Sequence, residues 1–270
     1  MGKLTDIEKL NLIEDHKNGI DLNLLSTKYG IHRSSVRGLL KRRGEKLLNF
    51  SESRRKYDIN EYFFNTLNEN SVYVLGFLYA DGYHNEKRKS VRLSLKETDE
   101  DILIKIKNVM NSNRPLGIDS SRGENFKQKY FDINNVTISN QLKILGCIQN
   151  KTFKITFPDF ISDELIKHFI RGYFDGDGGL TFYINTNKKT GYKTKKQKLT
   201  FRGTEHFCVN LKEKLSNILK IGGHISKDKI YCLEYSGKQE ILKILDYLYD
   251  DSKIHLERKF EKYKVIKNEK

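Results

Sequence analysis

Tryptophan is absent from this 270-residue chain and proline occurs only twice; neither fact excludes any function. The scarcity of cysteine says more. Cys147, Cys208 and Cys232 make an odd number and contain no CxxC pair. That excludes a disulfide framework or a cysteine-rich zinc site as the organising feature and suits a reducing interior. Small buried thiols are expected instead. No apolar run approaches the roughly 18 residues needed to cross a bilayer, and no apolar signal region opens the chain. The expectation is a soluble, intracellular protein with no membrane partner. Histidine is scattered too: none of His84, His168, His206 and His224 stands out as an obligatory base, and structural or DNA-facing roles are expected for them.

Acidic residues are outnumbered, with 35 Asp and Glu against 50 Lys and Arg and a net charge of +15. An excess of this size fits phosphate neutralisation by a nucleic-acid binder, although net charge alone also describes a merely soluble basic protein. The length allows one large domain with an appendage, or two domains.

Residues 1–46 read as a separate helical module. Thr5 and Glu8 form a capping box ahead of the apolar series Ile7, Leu10 and Ile13. Asn18-Gly19 stops that helix, a second covers about residues 22–29 and ends at Gly30, and a third runs from about Arg33 to Arg43, with Val36, Leu39 and Leu40 inward. Helix, glycine turn, helix at this spacing is the helix-turn-helix pattern. The third helix carries Arg33, Ser34, Ser35, Arg37 and Lys41, residues suited to a recognition helix in a major groove; a module used only for packing is the alternative. Residues 47–65, with Ser51-Glu52-Ser53-Arg54-Arg55-Lys56, read as a polar, basic linker.

Beyond it the chain repeats itself, in spans of about 66–160 and 161–265. Each copy opens on a short apolar helix ending in Asp-Gly: Val74-Leu75-Gly76-Phe77-Leu78-Tyr79-Ala80-Asp81-Gly82, and Ile170-Arg171-Gly172-Tyr173-Phe174-Asp175-Gly176-Asp177-Gly178. Two strand-like runs follow each, near 83–84 and 91–95 in the first copy and near 180–184 and 198–202 in the second. Helix starts are expected at Thr98-Asp99 and Thr204-Glu205, then a second strand pair and a further helix. In that second pair Tyr130-Phe131-Asp132-Ile133 is matched with Tyr231-Cys232-Leu233-Glu234. The predicted fold is α+β, a pseudo-two-fold duplicated αββαββα, plus the small all-α module.

Residues 72–80 are apolar on every side, as in a buried helix. Gly76 and Ala80 are spaced i, i+4, and Gly172 and Gly176 repeat the spacing, so the two helices can approach closely. Gly82 and Gly178 are expected at C′ in the left-handed conformation. Side-by-side helices would bring Asp81 and Asp177 together at two negative dipole ends, an arrangement that calls for a cation. Magnesium prefers oxygen ligands and keeps its waters, so two carboxylates suffice. A calcium-binding loop starting at Asp175 fails, because Gly179 stands at its third ligand position after Asp177 and Thr186 at the twelfth position in place of Glu.

These paired signatures resemble those of LAGLIDADG homing endonucleases in their single-chain, two-motif form, over about residues 65–265. The second copy keeps Gly172, Asp175, Asp177 and Gly178; in the first, Tyr79 stands where the motif has its earlier acid. Residues 145–152 and 254–260 resemble further family segments. The resemblance implies Mg2+ (or Mn2+) held by Asp81 and Asp177, with backbone carbonyls near Ala80 and Gly176. It also implies a catalytic basic residue at Lys151 and its partner at Lys259, or alternatively Arg258. Two four-stranded sheets would form a saddle over double-stranded DNA. Base and phosphate contacts are then expected from Lys87, Arg88, Arg92, Ser94 and Lys96 in one half. In the other they are expected from the long basic connection 187–198, with Lys188, Lys189, Tyr192, Lys193, Lys195 and Lys198, and from Thr200 and Arg202. The implied activity is a monomeric, sequence-specific endonuclease making a staggered double-strand break. The alternatives are a non-cleaving binder (a maturase on host intron RNA, or a transcription regulator) and an intein-derived nuclease, for which no splicing junction is visible.

Overall fold

The computed structural model describes residues 4–45, 47, 56–121, 123 and 127–268. The basic stretch 51–55 lies outside them. The chain divides into two units, residues 1–58 and 59–270. The division falls earlier than the end assigned to the linker from sequence, because Phe63 and Phe64 are buried in the core of the larger unit.

The smaller unit has helices α1 (Asp6–Lys17), α2 (Leu22–Tyr29) and α3 (Arg33–Arg42). The Thr5–Glu8 capping box starts α1, Asp21 caps α2, and Gly30 ends it in the left-handed conformation. Leu12, Ile13, Leu25, Val36, Leu39 and Leu40 form its core. Ile7 and Leu10 do not join it and are 72% and 59% exposed. The inward stripe of α1 instead runs through Leu12, Ile13 and His16, one i, i+1, i+4 face.

The larger unit is the expected duplication. Its first half runs α4 (Glu69–Asp81), β1 (Gly82–Asn85), β2 (Ser90–Lys96), α5 (Glu100–Val109), β3 (Gly117–Asp119), β4 (Gln128–Asn134) and α6 (Val136–Ile144). The second runs α7 (Ile166–Asp177), β5 (Gly179–Thr186), β6 (Lys193–Gly203), α8 (Glu205–Leu219), β7 (His224–Lys227), β8 (Tyr231–Tyr235) and α9 (Lys238–Tyr249), and α10 (Glu257–Asn268) follows. The antiparallel sheets are ordered β1-β2-β4-β3 and β5-β6-β8-β7. Val91, Leu93, Phe131 and Ile133 in one sheet, and Leu199, Phe201 and Leu233 in the other, bury alternate side chains, leaving the opposite faces polar.

Three local expectations change. Leu93 pairs with Phe131 and Phe201 with Leu233, so the equivalence between β4 and β8 is one residue off the sequence match: Asp132 corresponds to Glu234. The buried side chain fixes such a register, since a one-residue slip turns the whole strand over. Half of the connection expected over 187–198 is strand, β6 starting at Lys193, and only residues 187–192 turn. Cross-strand pairs such as Thr186↔Lys193 and Ile184↔Lys195 satisfy the backbone beyond the core. The turn itself is closed by Asn187, whose Oδ1 accepts from the Lys189 and Thr190 amides, and by Gly191 at φ +71°. Finally, Thr204 caps α8 by accepting from the Phe207 amide, but Asp99 makes no cap bond. It is buried and bound by Arg258 Nε at 2.8 and 2.9 Å.

Candidate active site

The two motif helices, α4 and α7, cross through glycine. A Cβ on Gly76 would lie 2.1 Å from the Phe169 carbonyl oxygen, and one on Gly172 would lie 2.1 Å from that of Tyr73. Each helix therefore seats its backbone on the other with no room for a methyl group. The contact continues to the helix ends, where a Cβ on Gly176 would fall 2.4 Å from the Ala80 Cβ and 3.2 Å from Asp81 Oδ2. The carboxylate of Asp81 thus lies against the neighbouring helix, one residue from Asp177.

Gly82 and Gly178 sit after the two aspartates, but not in the left-handed conformation. Their φ, ψ values are −69°, 131° and −68°, 144°. Glycine is required there for space: a Cβ on Gly82 would meet the Leu78 carbonyl oxygen at 2.5 Å, and one on Gly178 the Phe174 ring at 2.2 Å.

Both aspartates are held among charges. Burial, and then the charge of Asp177, pushes the Asp81 carboxyl up to about 6, against the pull of Lys259 and Lys151. Desolvation also raises Asp177, opposed by Lys151, Lys259 and Arg202, although Asp177 is the more exposed of the two. Among the described residues no cluster of three or more His, Cys, Asp and Glu could hold a metal. The two carboxylates still fit Mg2+ or Mn2+, because such ions retain waters and accept phosphate oxygens as ligands, and because a cation relieves the repulsion that raises Asp81. A proton competes for the same carboxylate. Mg2+ affinity, followed calorimetrically, is expected to be flat above pH 7 and to fall about tenfold per pH unit below about 6; a flat profile down to pH 5 would contradict this.

The two lysines occupy matching places. Lys151, in the 3-10 turn Lys151–Phe153, donates to the Gly82 carbonyl at 2.5 Å. Lys259, on α10 and only 3% exposed, donates to the equivalent Gly178 carbonyl at 2.5 Å, to that of Gly176 at 3.2 Å and to that of Phe174. Burial lowers both ammonium groups, Lys259 to about 8. Arg258, the other candidate, is engaged by Asp99 and does not make these contacts. His84 is buried, donating from Nδ1 to the Cys147 carbonyl and bonding Ser139 Oγ through Nε2; burial lowers His168 to about 4, so it is neutral at neutral pH.

The remaining site residues fall into three groups. On α3, Arg33, Ser34, Ser35, Arg37 and Lys41 are all exposed. Lys87, Arg88 and Lys96 in the first half, and Lys188, Lys189, Tyr192, Lys193, Lys195 and Arg202 in the second, are exposed too. The third group is already engaged. Arg92 makes a bidentate pair with Asp132, at 2.6 and 2.9 Å, and stacks on Tyr130, 4.0 Å from its ring centre. Ser94 bonds Gln128 at 3.0 Å. Lys198 pairs with Glu234 at 3.0 Å, and Thr200 stands opposite that acid in register. Sequence reasoning missed Asp132 and Glu234; the alternation within β4 and β8 points them at the polar faces, but only the register reveals whom they meet. Beside Arg92 lies an open polar cleft of about 460 Å3, lined by Tyr83, Asn85, Arg88, Ser90, Asp132 and Asn134.

No protein-family model matches the chain, and neither does any curated protein. Solved structures do. The I-LtrWI LAGLIDADG homing endonuclease bound to target DNA matches with a TM-score of 0.51 and 16% identity, over 77% of this chain and 90% of that one. The I-SmaMI LAGLIDADG homing endonuclease bound to cleaved DNA matches with a TM-score of 0.50 and 15% identity, over 75% and 88%. At these identities the likeness is one of fold: the chain has the duplicated α+β architecture of the LAGLIDADG homing endonucleases. No helix among the described residues is long and apolar enough to cross a membrane.

Proposed function

We propose that the protein is a sequence-specific, divalent-metal-dependent DNA endonuclease that makes a staggered double-strand break at a long site and acts as a monomer. One observation carries this reading. Two aspartates end helices that pack through Gly76 and Gly172, and each helix end carries a lysine on the equivalent carbonyl, that of Gly82 or Gly178.

Asp81 and Asp177, with carbonyls near Ala80 and Gly176, would hold Mg2+ or Mn2+. When bound, the ion would activate water and stabilise the leaving 3′ oxygen of a phosphodiester. Lys151 and Lys259 supply positive charge where the phosphorane-like transition state is most negative. Lys259 donates to three carbonyls at the end of α7 and would turn at least one of these donors toward substrate when DNA is bound. The exposed cations of the two sheets and of the β5–β6 hairpin neutralise phosphate. Arg92 and Lys198, restrained by Asp132 and Glu234, present fixed donors to base edges. The helix-turn-helix unit extends the site through Arg33, Ser34, Ser35, Arg37 and Lys41.

The test is a Mg2+-dependent cleavage screen over randomised DNA and over the DNA flanking the gene with any intron removed. Cutting at one long site is expected, and Arg37→Glu is expected to weaken binding to that site by about tenfold or more. Tight, specific binding with no cutting in Mg2+ or Mn2+ would replace the nuclease reading with a regulator. Preference for host intron RNA would replace it with a maturase.

A further inference from the structure

The two half-sites are built differently behind their lysines, and the difference traces to one residue. Asp175 is 1% exposed and faces the interior, away from Asp177. It accepts hydrogen bonds from the Tyr73 hydroxyl at 2.7 Å, the Tyr249 hydroxyl at 2.5 Å and the Leu256 amide at 2.9 Å. Arg171, one turn earlier on α7 and also 1% exposed, donates to the Ile254 carbonyl at 3.0 Å and to that of Leu248 at 3.2 Å. Together the two residues bond the end of α9 and the turn that joins it to α10, at Leu248, Ile254 and Leu256.

Leu256 is where α10 begins: its carbonyl accepts from the amides of Lys259 and Phe260, both at 3.1 Å. The position of the Lys259 ammonium is therefore fixed through a short relay, from the Asp175 carboxylate to the Leu256 amide, to the first turn of α10, and back to the carbonyls ending α7. In the first half the equivalent position is Tyr79, whose hydroxyl donates to the Leu145 carbonyl at 2.5 Å. Lys151, in a 3-10 turn, donates to the Gly82 carbonyl, and among the described residues no buried acid holds that turn as Asp175 holds the start of α10.

Building on the nuclease reading, we infer that Asp175 is a positioning residue for Lys259 and acts on the cutting of one DNA strand only. A buried carboxylate whose partners are two hydroxyls and a backbone amide is an expensive group to keep if packing alone were needed.

The test labels the two strands of the cleaved site separately and uses the full chain. Lys259→Met and Lys151→Met first identify the strand that each lysine serves. Asp175→Asn keeps the shape of the side chain and is expected to slow the Lys259 strand by about 100-fold, the scale of an ångström of misplacement, while the other strand stays within about threefold of wild type. Tyr249→Phe, which leaves the Leu256 bond in place, is expected to slow the same strand less. A second readout needs neither metal nor DNA: amide hydrogen exchange over residues 257–268 should quicken in Asp175→Asn while the α4–α7 pair stays protected. Equal slowing of both strands, slowing of the Lys151 strand, or unchanged exchange over 257–268 would each overturn the inference. If wild type cuts neither strand, the nuclease reading fails, and the exchange measurement still decides whether Asp175 anchors α10.

Discussion

Replacing Asp81 or Asp177 with asparagine is expected to lower cleavage by at least about 10³-fold, the scale of losing a principal electrostatic stabiliser, while specific DNA binding persists. The same substitutions are expected to raise the melting temperature of the metal-free protein. The sign follows from linkage. Asp81 is raised by burial and by Asp177 to about 6 in the folded state, so the folded protein binds that proton more tightly than the unfolded chain. Stability is then lost as pH rises from about 4 through 6, and at neutral pH the ionised carboxylate works against the fold. Asparagine removes the charge and the cost with it. Calorimetry on EDTA-treated variants therefore separates this account from simple unfolding: an inactive variant that also melts lower would count against it, and full-rate cutting by either variant would remove the metal assignment.

The second large effect is on stability. Gly76→Ala and Gly172→Ala each gain up to about 1 kcal/mol of helix propensity, but each forces a methyl group to within 2.1 Å of a backbone carbonyl oxygen on the facing helix. Carbonyls in a packed helix cannot give way cheaply, so the net change is a loss of about 3 kcal/mol or more, or a fall of about 6–12 °C in melting temperature for a unit of this size. The double variant should lose less than the sum, because one displacement of α4 from α7 accommodates both methyl groups. Gly38 on α3 is the control: a Cβ there meets only the flexible Arg42 guanidinium, at 3.6 Å, so Gly38→Ala should be neutral or slightly stabilising. Thermal denaturation of the four variants measures all of this. A Gly76→Ala protein that melts with wild type would mean that the helices do not touch as described.

What the sequence made legible is what depends on neighbours along the chain. The Thr5–Glu8 box, the turn at Gly30, the Asp-Gly helix ends and the small residues at i, i+4 are local signals, and each marks a structural feature. The duplicated order of elements was readable for the same reason. What escaped depends on the exact path of the backbone or on residues distant in sequence. Glycine at 82 and 178 looked like a dihedral requirement and is a spatial one, because the Leu78 and Phe174 backbone atoms lie in the way. Arg92 and Lys198 counted as free cations until the strand register set Asp132 across from Arg92 and Glu234 across from Thr200, within reach of Lys198. Asp175 read as part of a motif, and its partners Tyr73, Tyr249 and Leu256 come from three other segments.

The glycine seam between α4 and α7 also acts as a ruler. On the nuclease reading, the gap between the carboxylates of Asp81 and Asp177 selects which two phosphates, one on each strand, are attacked. That gap is set where Gly76 and Gly172 let the helices touch, not by the strands that meet the bases. On that reading the overhang left by the cut would be a property of the helix pair. Exchanging residues of the sheets and of the β5–β6 hairpin would then redirect the protein to other sequences while the broken ends kept the same length.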